Sequence, residues 1–201
     1  MKVLVTGGAG FIGSHTVVAL HDAGHAPVLI DNFDNSERAV IDTLRTMTTP
    51  TLSFYEGDVC DALFVRHVFD TEKPEAVIHF AAKKAVGESV AEPLIYYRSN
   101  VDGLITILEQ MQLHDCSRLV FSSSCTVYGE PDVSPVTEET PQKPAESPYG
   151  ATKQMCERII EDTSKAIPLQ AIALRYFNPV GAHPSSKIGE LPLGPPSNLI
   201  P

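Results

Sequence analysis

With 201 residues the chain is long enough for one substantial α/β domain and short for two. A composition of 43% hydrophobic and 20% charged residues fits a packed globular core, and a net charge of −10 argues against a surface that tracks nucleic-acid phosphates. An anionic small ligand stays open, because a helix N-terminus binds phosphate without needing a basic surface.

No apolar run reaches transmembrane length, and Met1-Lys2 leads into a strand-like stretch rather than a secretory signal, so no membrane association is expected. Cys60, Cys116, Cys125 and Cys156 lie far apart without a C-x-x-C pattern and read as free thiols of a reducing compartment, which predicts a cytoplasmic location. His21 and His25 flank Gly24 at a helix end, and such a pair reads as solvated, so no metal site is expected.

The first element is a short buried strand, Lys2 to Thr6, followed by Gly7-Gly8-Ala9-Gly10-Phe11-Ile12-Gly13. An amphipathic helix to about Ala23 comes next, with Gly24 as its C-cap, then a strand from Pro27 to Ile30 ending at Asp31. This βαβ unit is the setting of a dinucleotide fingerprint. Glycine permits the tight turn, lets backbone N–H groups approach a pyrophosphate and lets the helix pack on the strand. Asp31 is placed to accept hydrogen bonds from ribose hydroxyls, and its charge would repel a 2′-phosphate, which favours NAD over NADP.

A third strand spans Thr51 to Glu56, and Gly57-Asp58-Val59 then opens a helix with Asp58 as a plausible N-cap. The fourth strand, Ala76 to His79, ends in Phe80-Ala81-Ala82, small enough for a dinucleotide to pass; His79 reads as a core histidine. A long helical region is expected from about Pro93 to Leu113, containing Asn100. The fifth strand, Leu119 to Phe121, delivers Ser122-Ser123-Ser124 to its carboxyl end, where open α/β sheets bind ligands. A proline- and acid-rich loop, 131–148, precedes a helix carrying Tyr149 and Lys153, and Leu169 to Arg175 is a sixth strand. Six strands with crossover helices predict one doubly wound parallel α/β (Rossmann) sheet with helices on both faces, over residues 1–175. Residues 176–201 hold many prolines and glycines without a periodic segment, and read as a loop leading onward.

Tyr149 and Lys153, four apart at a helix start, share one face. A phenol of pKa about 10 is roughly one part in a thousand ionised at pH 7. A neighbouring ammonium favours the phenolate, which is how a tyrosine becomes a general base.

The glycine turn, the serine triplet and Tyr149-x-x-x-Lys153 together resemble the extended short-chain dehydrogenase/reductase family. Longer runs (residues 3–15, Ala85-Val86-Gly87-Glu88-Ser89, and Arg175 through Pro184) are similar to its UDP-glucose 4-epimerase group, and the resemblance extends from Met1 to Pro201. It implies an isomerase of galactose metabolism that keeps NAD bound and inverts C4 of a UDP-sugar through a 4-keto intermediate. Tyr149 would be the base at the 4-hydroxyl, Lys153 would lower its pKa and hold the nicotinamide ribose, and Ser124 would hydrogen-bond the 4-oxygen.

On the cofactor side the resemblance places Gly7, Gly10, Phe11, Ile12 and Gly13, then Asp31, Asn32, Asn35 and Ser36, with Asp58 and Val59 beside the adenine. Phe80, Ala81, Ala82, Lys84, Asn100, Ser122, Tyr176 and Phe177 complete that side. Thr126, Asn178, Asn198 and Leu199 fall on the UDP-sugar side. A homodimer through parts of 93–113 and 147–165 is implied too.

Cys125 stands where alanine is usual and Lys83 where an apolar residue is usual. Related 4,6-dehydratases place an acidic pair after the active-site Ser/Thr, whereas this chain has Ser124-Cys125-Thr126. Family members continue into a substrate domain that is not seen here, so an inactive NAD-binding fragment is the alternative expectation.

Overall fold

In a computed structural model, residues 1–191 are described. Six strands form one fully parallel sheet: β1 (Lys2–Thr6), β2 (Ala26–Asp31), β3 (Ser53–Glu56), β4 (Ala76–His79), β5 (Arg118–Ser124) and β6 (Gln170–Tyr176), in the order β3-β2-β1-β4-β5-β6. The chain leaves β1 toward one side and β4 toward the other, so a crevice opens between their carboxyl ends.

Helices α1 (Phe11–Asp22) and α2 (Arg38–Met47) cover one face, where Val17, Val18, Ile41 and Leu44 pack on Val3, Val5 and Leu29. On the other face α3 (Ala62–Glu72), α6 (Gly103–Leu113) and α7 (Pro148–Ala166) bring Val65, Phe69, Leu104, Ile107 and Ile160 onto Leu4, Val77, Leu119 and Phe121. Each large apolar side chain removed from water here contributes about 1.5–3 kcal/mol. The central strands, buried on both faces, are apolar at nearly every position, as parallel sheets require.

The sheet is unevenly covered. Val120 pairs in register with Ile172, and on that side of β6 Ile172 and Leu174 are 61% and 38% exposed, whereas Ala171 contacts the core under α7. Among the described residues no helix is long and apolar enough to cross a membrane.

Three elements differ from the sequence reading. α2 was not anticipated, although Val40, Ile41, Leu44 and Met47 repeat at helical spacing. The helix after β3 opens at Ala62, capped by Asp61 accepting from the Leu63 and Phe64 amides, while Asp58 instead takes the Cys60 amide at 2.9 Å. The expected helical region from Pro93 to Leu113 is present, but with an unforeseen π-helical stretch, Tyr97–Asp102, between α5 (Pro93–Tyr96) and α6, and the short α4 (Val86–Ala91) before it. The wide turn carries Asn100, and single π-turns in helices recur at functional sites. After β6, Ile188 returns to bury itself in the α1–α2 core, an anchor not foreseen in the 176–201 segment.

Candidate active site

The crevice is built from the carboxyl ends of the strands, and most of the residues singled out above meet there. At the end of β1, Gly7 has φ +67°, and a Cβ on Gly13 would lie 2.1 Å from the Gly7 carbonyl oxygen. The turn therefore closes on the helix only because both are glycine. No side chain caps the N-terminus of α1 and no acidic residue lies in its first turn, leaving that helix end open to an anion.

Asp31, at the end of β2, is buried. Its carboxylate accepts from the Ala9 amide (2.9 Å), the Phe33 amide (2.9 Å) and the Ser36 hydroxyl (2.8 Å). It thus ties the glycine turn to the loop after β2 and keeps acceptor capacity for a further donor. Asn32 accepts the Asp34 amide at 3.0 Å, and Asn35 is exposed. Asp58 sits at the end of β3 and is exposed, with Val59 buried beside it.

Beyond β4, Phe80, Ala81 and Ala82 run along the crevice; the Ala81 amide lies against the glycine turn, 2.8 Å from where a Gly7 Cβ would be. Thr6 accepts from that amide at 3.3 Å and shares a 2.8 Å bond with His79 Nδ1. Burial pushes the imidazole down to about 3, so the ring is neutral. Asn100 is buried: its amide donates to the Lys83 carbonyl (3.1 Å) and the Thr152 hydroxyl (3.1 Å), and its oxygen accepts the Lys83 amide (2.8 Å). It therefore acts by fixing the loop after β4. Lys84 is exposed and pairs with Glu190 at 3.4 Å.

α7 begins at Ser147, which accepts the Gly150 amide at 3.1 Å, with Pro148 at the first position. The helix buries Lys153, whose ammonium donates to the Ser122 carbonyl at 2.8 Å and lies 4.9 Å from the Phe121 ring centroid and 5.8 Å from that of Tyr149. Burial pushes the ammonium down to about 8. The Tyr149 phenol, hydrogen-bonded by Ser124, is raised above its ordinary value because burial outweighs that bond. Burial is the largest influence on the Tyr149 phenol, and the Lys153 ammonium is engaged by a backbone carbonyl.

Ser124 accepts the Thr126 amide at 3.3 Å, and the Thr126 hydroxyl is buried without a partner, an acceptor–donor group left for a ligand. Ser124 is in register with Tyr176, so β6 delivers Tyr176, Phe177 and Asn178 beside it; Phe177 and Asn178 are exposed. Asn198 and Leu199 lie outside the described residues.

A network behind α7 was missed by the sequence reading. Glu157, four residues after Lys153, accepts from Arg175 Nε (2.9 Å) and Nη2 (2.7 Å), Ser123 (2.5 Å) and Gln142 (2.8 Å), and Arg175 also donates to the Tyr128 hydroxyl at 3.0 Å. The signal was a carboxylate one turn beyond Lys153 and an arginine ending a strand.

The chain is similar in sequence and fold to several known proteins. Residues 4–191 match the family model described as GDP-mannose 4,6 dehydratase. A UDP-glucose 4-epimerase of Neisseria meningitidis serogroup B is 51% identical over the whole chain, and UDP-glucose 4-epimerase 2 of Arabidopsis thaliana is 50% identical; the chain spans 59% and 58% of their lengths. The structure of a Bifidobacterium longum UDP-glucose 4-epimerase in complex with NAD+ and UDP superposes with a TM-score of 0.96 at 44% identity, covering 99% of this chain and 60% of that one. One from Stenotrophomonas maltophila, with bound NAD and formylated UDP-arabinopyranose, gives 0.94 at 46% identity, covering 99% and 59%.

Proposed function

The chain belongs to the family described as GDP-mannose 4,6 dehydratase, and within it we propose an NAD-dependent epimerase unit acting at C4 of UDP-glucose and UDP-galactose. One observation carries the reading. A buried ammonium, a phenol and a serine hydroxyl converge at the end of β5, one strand across from a glycine turn with no room for a Cβ at Gly7 or Gly13.

The residues present fit the cofactor. The open end of α1 with the Gly7–Gly13 turn would take the pyrophosphate, and Asp31 an adenosine ribose hydroxyl. Bound NAD would supply a reversible hydride acceptor and a positive charge. At the sugar, Tyr149 takes the proton from the 4-hydroxyl and returns it on the reverse step; loss of that proton together with the C4 hydride would leave a 4-keto sugar between the two epimers. Ser124, already bonded to the phenol, hydrogen-bonds the same oxygen while charge develops on it. Lys153, fixed by Ser122, provides a charge that the low-dielectric surroundings do not screen. The unpartnered Thr126 hydroxyl helps seat the sugar.

The dinucleotide-binding unit is read as residues 1–175, with 176–201 leading to the sugar-nucleotide side. β6 ends at Tyr176, which supports that division. A cytoplasmic location and a homodimer belong to the same proposal.

The test is conversion of UDP-galactose to UDP-glucose by the purified chain with added NAD, with Tyr149→Phe beside it. Turnover lost in the variant, with NAD still bound, is expected; near-normal turnover in Tyr149→Phe removes the phenol as base. No turnover by the unaltered chain with NAD bound leaves a cofactor-binding unit.

A further inference from the structure

The loops that follow β2 and β4 are joined by an ion pair between Asp34 and Lys83. In the strand order β1 lies between β2 and β4, which are therefore about 10 Å apart. Both partners lie a few residues past the carboxyl ends of their strands, so the pair bridges over the end of β1, where the glycine turn sits. Chain, sheet hydrogen bonds and ion pair form a closed ring around the place where a pyrophosphate would rest.

Both ends of the bridge are fixed in advance. The Lys83 backbone is held through its amide and its carbonyl by buried Asn100, which is itself tied to α7 through Thr152. The Asp34 amide is held by Asn32, and the preceding Phe33 amide by Asp31. Phe33 has φ +59°, a conformation that non-glycine residues adopt only when the surroundings hold them there. Its ring is pinned between Phe54 (centroids 5.4 Å apart) and the Arg38 guanidinium (4.9 Å). The backbone at both ends is thus ordered before the pair forms, and the pair costs only the side-chain freedom of Asp34 and Lys83.

We propose that Asp34 and Lys83 form a clasp over the bound dinucleotide and set how slowly it leaves. The proposal rests on the cofactor reading above. It differs from a second explanation in which Lys83 simply attracts the pyrophosphate, because the two assign opposite signs to Asp34. If Lys83 acts alone, removing the Asp34 charge frees the lysine and slows release. If the pair is a clasp, removing it speeds release.

The experiment measures NADH dissociation from the full chain by fluorescence, with excess NAD as trap, for wild type, Asp34→Asn, Lys83→Met and the charge-swapped Asp34→Lys/Lys83→Asp. The single variants are expected to release NADH about two- to fivefold faster, the range for an ion pair in partial contact with solvent. The swap should restore most of the difference, and high salt should shrink it. A zero-length carbodiimide supplies a readout without turnover. It should join Asp34 to Lys83, found as a linked peptide by mass; applied after NADH loading it should trap the nucleotide, and applied before loading it should exclude it.

Asp34→Asn releasing NADH at or below the wild-type rate, or no Asp34–Lys83 link, overturns the clasp while the cofactor reading stands. Failure of the wild-type chain to bind NADH overturns both.

Discussion

Replacing Glu157 by glutamine keeps the shape of a side chain that four donors converge on and removes its charge. Arg175 would then keep its guanidinium, 22% exposed, with no carboxylate opposite, and the Ser123 and Gln142 donors would face a weaker acceptor. Breaking a buried ion pair from one side costs about 3–5 kcal/mol. Because Arg175 keeps some contact with water, the lower end, about 3 kcal/mol, applies here. In a domain of this size that corresponds to a fall of about 6–12 °C in Tm. Thermal and urea unfolding at pH 7 of Glu157→Gln, Arg175→Met and the double variant measure the cost and the coupling. The pH dependence supplies a sign. Burial pushes the Glu157 carboxyl up, but the bonds from Arg175 and Ser123 outweigh it and hold it below the usual carboxylate range. Its stabilisation is therefore complete above the unfolded pKa of about 4.3 and is lost as pH falls through the lower folded value. The gap between wild type and Glu157→Gln should be widest near neutrality and close below about pH 4. A Tm within about 1 °C of wild type, a gap that does not change with pH, or strictly additive single variants would refute the reasoning.

Lys153→Met should stabilise the chain at pH 7 by at most about 3 kcal/mol, less what the lost bond to the Ser122 carbonyl contributes, while weakening NADH binding. The ammonium titrates near 8 when folded and near 10.5 when unfolded, so it costs stability below pH 8, and the gain should shrink as pH rises from 8 to 10 in unfolding titrations. Gly13→Ala should abolish NADH binding and lower Tm by several degrees, since its Cβ meets the Gly7 backbone carbonyl rather than a side chain that can move; normal binding by fluorescence would contradict the turn geometry. Asp31→Ala should weaken NAD affinity by at most about 3 kcal/mol and loosen the Ala9 and Phe33 amides, read as faster hydrogen exchange there.

The parallel sheet was legible because its central strands are short apolar runs bounded by glycines and acids, and its crossovers fall where turns do. Register then followed, and with it the meeting of Gly7, Asp31, Ser124 and Tyr149 at one edge. Three things were not legible. α2 lies in a segment of low mean hydropathy, which hid its stripe of Val40, Ile41, Leu44 and Met47. The π-turn at Asn100 has no periodicity signal, since it shifts a helix by one residue without changing its composition. The resting ionisation of Tyr149 depends on how deeply it and Lys153 are buried. Residue spacing carries the distance between two groups along a helix, but not the solvent around them.

The two borders of the sheet are built to different standards. β3 is four residues long and closes on Glu56, itself bound to Arg38, so little unpaired backbone is offered beside it. β6 runs seven residues, with Ile172 and Leu174 bare on one side and its single cation, Arg175, turned inward to Glu157. A long, flat, apolar border with no outward charge is a template on which another extended segment can add by backbone pairing. Among the described residues the sheet thus has one blunt border and one open to backbone pairing.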